Sequence, residues 1–304
     1  MQYPLISEYV KAIIDSSENL DELNNLKPIM DSNGEPLHSS GAYAVVFKMI
    51  DEDTGEIYAL KCFTEDQIDR DKAYDKISEE IEHISHEYII NVHYYEKELF
   101  VDSSCTLESE FPVLLMDWVD GVTMDEYILL HYKNKEKMEW LTYNFCEMAA
   151  WLHYQNFAHG DIKPDNIMVK ADGKLLLIDY DGMYVPKMKG MKSPTLGSKD
   201  FAHPLRTIDD FNEYIDDFSL ASISLSLRAI TLDFNLYNEY GTSDGMLLRK
   251  DDYLNPGKSV IFKKLCSYLD DTELCKLYGN FFLAFSQKNL ALHSFHNFCI
   301  TKPN

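Results

Sequence analysis

At 304 residues the chain has room for two compact units of roughly 150 residues each, and a core large enough to fold without disulfides or metals. Lys and Arg total 28 against 51 Asp and Glu, a net charge of −23, so nucleic-acid backbones and anionic membranes are repelled and neither is expected as a partner. With 45% apolar and 13% aromatic residues, disorder is excluded too.

Leu5 to Ile14 predicts a short amphipathic helix, with Ile6, Val10, Ile13 and Ile14 at helical spacing. Residues 19–25 are acidic and polar, and Pro28 closes them. Two β-rich runs, 44–50 and 56–63, are joined by Asp51-Glu52-Asp53-Thr54-Gly55, which predicts an antiparallel hairpin. A helix from Arg70 to about His83 follows, with Ile77, Ile81 and Ile84 on one face. Residues 88–92 and 112–116 read as further strands. Past Val119-Asp120-Gly121 the pattern turns helical. Thr123-Met124-Asp125-Glu126 has the form of a capping box. Leu141, Phe145, Met148 and Leu152 form the buried stripe of a helix ending near Asn156. Short strands at 166–169 and 175–178 flank Ala171-Asp172-Gly173, and 215–230 and 260–285 are helical in pattern. A strand-rich first third followed by a helix-rich remainder predicts an α+β, two-lobed arrangement.

The six cysteines (Cys62, Cys105, Cys146, Cys266, Cys275, Cys299) show no C-x-x-C and no histidines at ligand spacing, so free thiols in a reducing compartment are expected. The stretch Met1 to Glu8 has no basic leader and no apolar run reaches spanning length, which makes a cytoplasmic location the expectation.

Chemistry concentrates in His159-Gly160-Asp161-Ile162-Lys163-Pro164-Asp165-Asn166. A carboxylate sits on a loop between a helix and a short strand, with a lysine two residues on and an amide oxygen five residues on. That spacing suits a base at a substrate hydroxyl, a cation on a transferring phosphoryl group and a metal ligand. Asp179, in Leu177-Ile178-Asp179-Tyr180-Asp181-Gly182, lies at a strand end, where a carboxylate can hold Mg²⁺ against nucleotide phosphates.

These segments resemble the protein kinase superfamily. His159 to Asn166 is similar to the catalytic loop H-R-D-L-K-P-x-N, and Asp179-Tyr180-Asp181-Gly182 to D-F-G. Tyr58-Ala59-Leu60-Lys61 resembles V-A-I-K, and Ser39 to Val46 resembles G-x-G-x-x-G-x-V. Leu114 to Gly121 is similar to the segment joining the lobes, Gly197 to Pro204 to G-T-x-x-Y-x-A-P, and Asp216-Asp217-Phe218-Ser219 to D-x-W-S. The stretch Ile178 to Pro186 resembles the bacterial kinase-like proteins of Bacteroides-type organisms.

The resemblance implies a small antiparallel-sheet N-lobe over 37–117, a mostly helical C-lobe over 118–304 and a helical extension over 1–36. It implies ATP- and Mg²⁺-dependent phosphoryl transfer to Ser or Thr hydroxyls of a protein. Asp161 would take the hydroxyl proton, Lys163 would neutralise the γ-phosphate, and Asn166 and Asp179 would ligate Mg²⁺. Lys61 would hold the α- and β-phosphates, paired with Glu80 (Glu79 is the other candidate). Nucleotide contacts are implied at Ser39, Ser40, Gly41, Val46, Ala59, Met116, Met168 and the backbone of Asp117 and Val119. His159 would stack on Tyr180.

The chain also departs from the family pattern. Only the middle glycine of the phosphate loop remains, as Gly41, and Ala44 in place of the last tolerates positive φ poorly, which weakens the expected nucleotide affinity. Gly160 replaces the arginine that reads a phosphate on the activation segment, so switching by that route is not expected. Asp181 stands at the D-F-G glycine, and Leu205 at the glutamate of A-P-E, which removes an ion pair bracing the C-lobe. Two other readings share these motifs: a nucleotide-binding pseudokinase scaffold, and a small-molecule phosphotransferase of the aminoglycoside or choline type, in which H-G-D is common. Lys163-Pro164, and Ser198 where a threonine meets Asp and Lys, favour the protein kinase. Tyr184, Ser193 and Thr195 are candidate autophosphorylation sites. Lys187, Lys189 and Lys192 read as a solvated basic loop, and the overall acidity favours a basic protein substrate.

Overall fold

Phe47 and Met49 fall on one side of the first β-rich run and are fully buried, and the second run buries Leu60, Cys62 and Phe63. A two-stranded ribbon with so much apolar surface needs more strands and a cover. The computed structural model, which describes residues 2–41, 43–66, 69–84, 86–241, 246–290 and 298–304, supplies both. The chain divides into two compact units, 1–85 with 89–119 and 86–88 with 120–304.

In the first unit, α1 (Ile6–Ile14) and the single turn α2 (Ser16–Asn19) lead into β1 (Leu26–Pro28), β2 (His38–Ser40), β3 (Ala44–Asp51) and β4 (Ile57–Phe63). Helix α3 (Arg70–Ile81) and strands β5 (Val92–Phe100) and β6 (Glu110–Asp117) complete it. The strands make one antiparallel sheet ordered β1-β3-β4-β6-β5, with β2 beside β3 on the edge that β1 also uses. The predicted hairpin is β3–β4, with Ala44 opposite Phe63 and Ile50 opposite Ile57. Tyr9, Ala12 and Ile13 of α1 share a core with Val45, Leu60, Phe111 and Val113. The Tyr9 hydroxyl donates to the Phe63 carbonyl at 2.7 Å. Glu98 is buried and accepts from the backbone N–H groups of Glu22 and Leu23, yet burial still raises its pKa. Glu8 accepts from Ser103 and Ser104. Residues of the 1–36 segment therefore pack into the core of this unit.

One expected strand is displaced. Residues 88–91 are not in a strand, and β5 starts at Val92, where the expected strand was to end. Tyr88 goes to the second unit. There His86 stacks on Trp151 at 4.2 Å, Tyr88 meets the same ring edge-on at 5.4 Å, and the Tyr88 carbonyl accepts from the Leu177 N–H at 2.8 Å. Ring packing has overridden β propensity.

The second unit runs β7 (Val122–Thr123), α4 (Met124–His131), α5 (Lys135–His153), β8 (Ile167–Val169) and β9 (Leu175–Leu177). It continues through α6 (Asp217–Leu232), α7 (Asn235–Tyr240), α8 (Lys250–Leu254), α9 (Val260–Leu265) and α10 (Thr272–Gln287). Helix α4 starts where the sequence predicts, but Thr123 makes no side-chain cap bond, because it is held in β7 opposite Met168. The α5 stripe Leu141, Phe145, Met148 and Leu152 is buried as expected. The helical pattern over 260–285 breaks into two because Asp271 caps α10, accepting from the Leu274 N–H at 2.8 Å. Arg228 of α6 grips that cap, with its Nε 3.0 Å from Asp271 and a terminal nitrogen 3.1 Å from Glu273. This bridge braces α6 against α10 in a unit that lacks the A-P-E glutamate. All six cysteines are free thiols. Among the described residues no helix is long and apolar enough to cross a membrane.

Candidate active site

The loop between α5 and β8 is organised by one carboxylate. Asp216, just before α6, is buried and accepts the backbone N–H groups of His159 and, at 2.9 Å, Gly160. Burial raises its pKa, while His159, these two N–H groups and Arg206 act in the opposite direction. His159 Nε2 lies 2.9 Å from the Ile178 carbonyl. A carbonyl only accepts, so Nε2 carries the hydrogen and Nδ1 is left to accept from the Asp161 N–H at 3.4 Å. The His159 ring meets Tyr180 edge-on at 5.7 Å.

Asp161 is thereby held from behind, and its side chain is held from in front. One carboxylate oxygen accepts the Ser198 N–H at 2.6 Å and the other the Ser198 hydroxyl at 3.3 Å. The Asp161 carbonyl accepts from the Asn166 side-chain amide at 2.9 Å, which commits that nitrogen and leaves the amide oxygen as the acceptor. The Ile178 N–H donates to the Asn166 carbonyl at 3.0 Å, tying the end of β9 to the short 3₁₀ turn Pro164–Asn166. Asp179 comes next, at φ 67° and ψ 76°. A residue other than glycine takes up that conformation at a cost of about 1–3 kcal/mol, and only where its surroundings impose it. An amide oxygen and a carboxylate are hard donors. One or two carboxylates completed by phosphate oxygens and water is the usual Mg²⁺ set, so these residues fit the ion. No cluster of three or more His, Cys, Asp or Glu able to hold a metal occurs among the described residues, so phosphate and water would have to complete the coordination.

Lys163 pairs with a neighbouring carboxylate. Its ammonium lies 3.5 Å from Asp165, whose pKa is raised by burial and lowered by that lysine. Ser198 meets Asp161, while Lys163 turns to Asp165. Met168 pairs with Leu176 and Thr123 on the small β7-β8-β9 sheet.

In the first unit, Lys61 is buried on β4, between Val46 of β3 and Leu114 of β6, with its ammonium 5.7 Å from the Phe63 ring centre. Ala59 and Met116 are direct cross-strand neighbours and both are buried. Asp117 ends β6, exposed, and accepts from the Asn91 side chain at 3.1 Å; Val119 is half-buried. On α3, Glu80 is half-buried and Glu79 exposed. Ser39 and Ser40 are exposed on β2, opposite Val46 and Val45, and the Gly41 N–H donates to the Ala44 carbonyl at 2.9 Å, closing a tight turn. Ala42 of this loop lies outside the described residues. The feared strain at Ala44 is absent: it sits in β3, and the described positive-φ residues other than glycine are Asp69, Asp179 and Lys288.

Three features escaped sequence reasoning. Gly160, at φ +84°, could carry no side chain: a Cβ would lie 1.9 Å from the Gly182 carbonyl oxygen. The chain before it pairs with the stretch that follows Asp179-Tyr180-Asp181-Gly182, the activation segment (182–203) of the kinase resemblance: Ala158 N–H to the Tyr184 carbonyl at 3.0 Å and the reverse bond at 2.8 Å. What reads in sequence as a missing arginine is a backbone-to-backbone contact. Second, Tyr184 and Ser193 are poor candidates for autophosphorylation. Tyr184 is 3% exposed against the Phe211 ring, and Ser193 is 6% exposed with its hydroxyl donating to the Thr195 carbonyl. Third, Arg206 reaches this region. One terminal nitrogen donates to the Gly160 carbonyl at 2.7 Å; the other donates to the Ser193 hydroxyl at 3.1 Å and the Thr195 carbonyl at 3.3 Å. Burial lowers its pKa, opposed by Asp216, Asp161 and Asp210. The available signal was scarcity: Arg70, Arg206, Arg228 and Arg249 are the four arginines in the sequence.

Comparison with known proteins bears on the same residues. A family profile described as the protein kinase domain matches residues 39–243. A Dictyostelium discoideum protein named a probable serine/threonine-protein kinase is 28% identical over 156 residues, 47% of this chain and 30% of that one. An Arabidopsis thaliana serine/threonine-protein kinase is 24% identical over 55% of this chain and 34% of its own length. The mitogen-activated protein kinase 13 of Mus musculus is 27% identical over 48% and 39%. The chain thus spans about a third of the length of these relatives. An antiparallel-sheet unit followed by a helical unit is the fold the motifs imply, and the chain belongs to the protein kinase domain family.

Proposed function

We propose that the chain transfers the γ-phosphoryl group of ATP to Ser or Thr hydroxyls of a protein. The observation that supports this most is Asp161, held at both ends: its backbone by Asn166 and by the Asp216 clamp beside it, its carboxylate by Ser198. A base so placed accepts the proton of an attacking hydroxyl with little reorganisation. Asn166 and Asp179 would hold Mg²⁺, which when bound neutralises charge on the phosphates and orients them. Lys61, with Glu80 as its partner, would hold the α- and β-phosphates, and Lys163 would swing from Asp165 to the γ-phosphate. Ala59, Met116 and Met168 would line the adenine, with the backbone of Asp117 and Val119 along its edge and Ser39, Ser40, Gly41 and Val46 over the phosphates. The net charge of −23 favours a basic substrate.

The test is incubation with γ-labelled ATP and Mg²⁺, alone and with a generic basic protein, beside Asp161→Asn and Asp179→Asn. Labelled phosphoserine or phosphothreonine from wild type only is expected. Equal label on all three, or turnover of a sugar, choline or aminoglycoside with no protein labelled, overturns the reading.

A further inference from the structure

The activation segment is fastened where a phosphate would otherwise be needed, and the fastening converges on Arg206. Gly160 has no room for a side chain, so the catalytic loop offers no cation immediately before Asp161. Arg206 delivers one from beyond the segment. Its two terminal nitrogens span three acceptors: Gly160 on the loop, and Ser193 and Thr195 on the turn 193–197. The turn closes around it. Ser193 donates to Thr195 at 2.6 Å, Gly197 donates to the Thr195 hydroxyl at 3.0 Å, and Gly197, at φ +73°, lies so near that a Cβ there would come 2.9 Å from the guanidinium. The next residue is Ser198, which gives its N–H and hydroxyl to Asp161. The charged groups facing the guanidinium are Asp216, Asp161 and Asp210.

We propose that Arg206 is a positioning residue: it pins the 193–197 turn to the catalytic loop, sets the place from which Ser198 holds the Asp161 carboxylate, and keeps the segment in that arrangement without phosphorylation. The consequence for rate rests on the phosphotransferase reading; the tether itself does not. A planar fork is required, because a lysine ammonium is a single point that cannot reach all three acceptors.

Wild type, Arg206→Met and Arg206→Lys are compared for transfer to the basic protein, for thermal midpoint, and for trypsin cleavage after Lys192 and Lys199, exposed on either side of the turn. Arg206→Met is expected to keep KM for ATP within about twofold while kcat falls about tenfold or more, as for a misplaced base. Cleavage at both lysines should quicken several-fold. Arg206→Lys should recover only part of each effect, at a midpoint close to wild type, and phosphatase treatment should leave wild-type kcat unchanged. Wild-type kcat and unchanged cleavage in Arg206→Met overturn the proposal, as does full recovery with lysine or a fall in kcat after phosphatase. If no form transfers phosphate, cleavage decides: faster nicking of Arg206→Met keeps the tether and rejects the phosphotransferase, and equal nicking rejects both.

Discussion

A methyl group at position 160 is the smallest change with a large calculated effect. In Gly160→Ala the new Cβ would come 1.9 Å from the Gly182 carbonyl oxygen, where ordinary contact starts at 3.4 Å, so the two backbones must part by 1.5 Å. Parting them opens the Ala158–Tyr184 pair and pulls the Gly160 N–H from Asp216. The positive φ alone costs about 1–2 kcal/mol for an L-residue, and forced separation of packed groups about 1–3 kcal/mol more. At about 2–4 °C per kcal/mol for a unit of this size, the thermal midpoint should fall by roughly 4–20 °C. Transfer should fall by about 100-fold, because Asp161 is the adjacent residue and a displacement near 1 Å has that effect. Gly190→Ala is the control. Gly190 has φ +86° with nothing within 4 Å of a Cβ, so only the backbone term of about 1–2 kcal/mol applies and activity should persist. Differential scanning calorimetry and the labelled-ATP assay on the two variants decide the matter. Equal midpoints, or wild-type transfer by Gly160→Ala, would refute the close-contact argument. Gly160→Arg, which restores the family residue, should be worse than alanine.

Asp216→Ala leaves two buried N–H groups without acceptors, about 1–3 kcal/mol each; urea midpoints should rank wild type above Asp216→Asn above Asp216→Ala, and an unshifted alanine variant would show the clamp to be dispensable. Ser198→Ala removes the 3.3 Å hydroxyl bond to Asp161 and keeps the 2.6 Å backbone one, so its rate should drop by less than about tenfold. Asp161→Asn should lose about 100-fold or more, and equal losses would mean the hydroxyl is the essential contact. Glu8 is held at about 2, below 4.5, by the N–H groups of Ser104 and Leu5 and the hydroxyls of Ser103 and Ser104. A depressed folded value gives stability that is complete above 4.5 and is lost as pH falls toward 2. Glu8→Gln should therefore flatten the midpoint-versus-pH curve in that window, and a curve parallel to wild type would exclude the contribution.

What was legible in the sequence was local. The hairpin 44–63 and the α5 stripe follow from periodicities that need no partner to be seen, and the catalytic loop follows from residue types at short spacing. What was illegible depended on close approach between distant segments. Gly160 looks like a lost arginine until Gly182, 22 residues later, is seen against it. Tyr88 looks like strand until Trp151 claims it. Hydroxyl residues on a loop look accessible, and nothing local shows that Ser193 is folded under Arg206. The break at Asp270-Asp271-Thr272 was readable, because an aspartate before a helical run is a capping signal that outranks continued periodicity.

The place of α1 in its unit has a consequence for synthesis. Tyr9 meets the Phe111 ring at 6.3 Å, and Glu8 grips Ser103 and Ser104, partners 95 and 96 residues downstream. The helix is therefore made well before these partners at 103–111 exist. Closing a loop of that length is entropically late among the contacts of the unit. While the nascent chain lengthens toward Phe111, Tyr9 lacks that ring and Glu8 lacks its two serines, so the cover of α1 stays incomplete. The same order works backwards: a fragment started at residue 39, where the family match begins, would lose β1 from the edge of β3 and leave one face of the sheet without its lid.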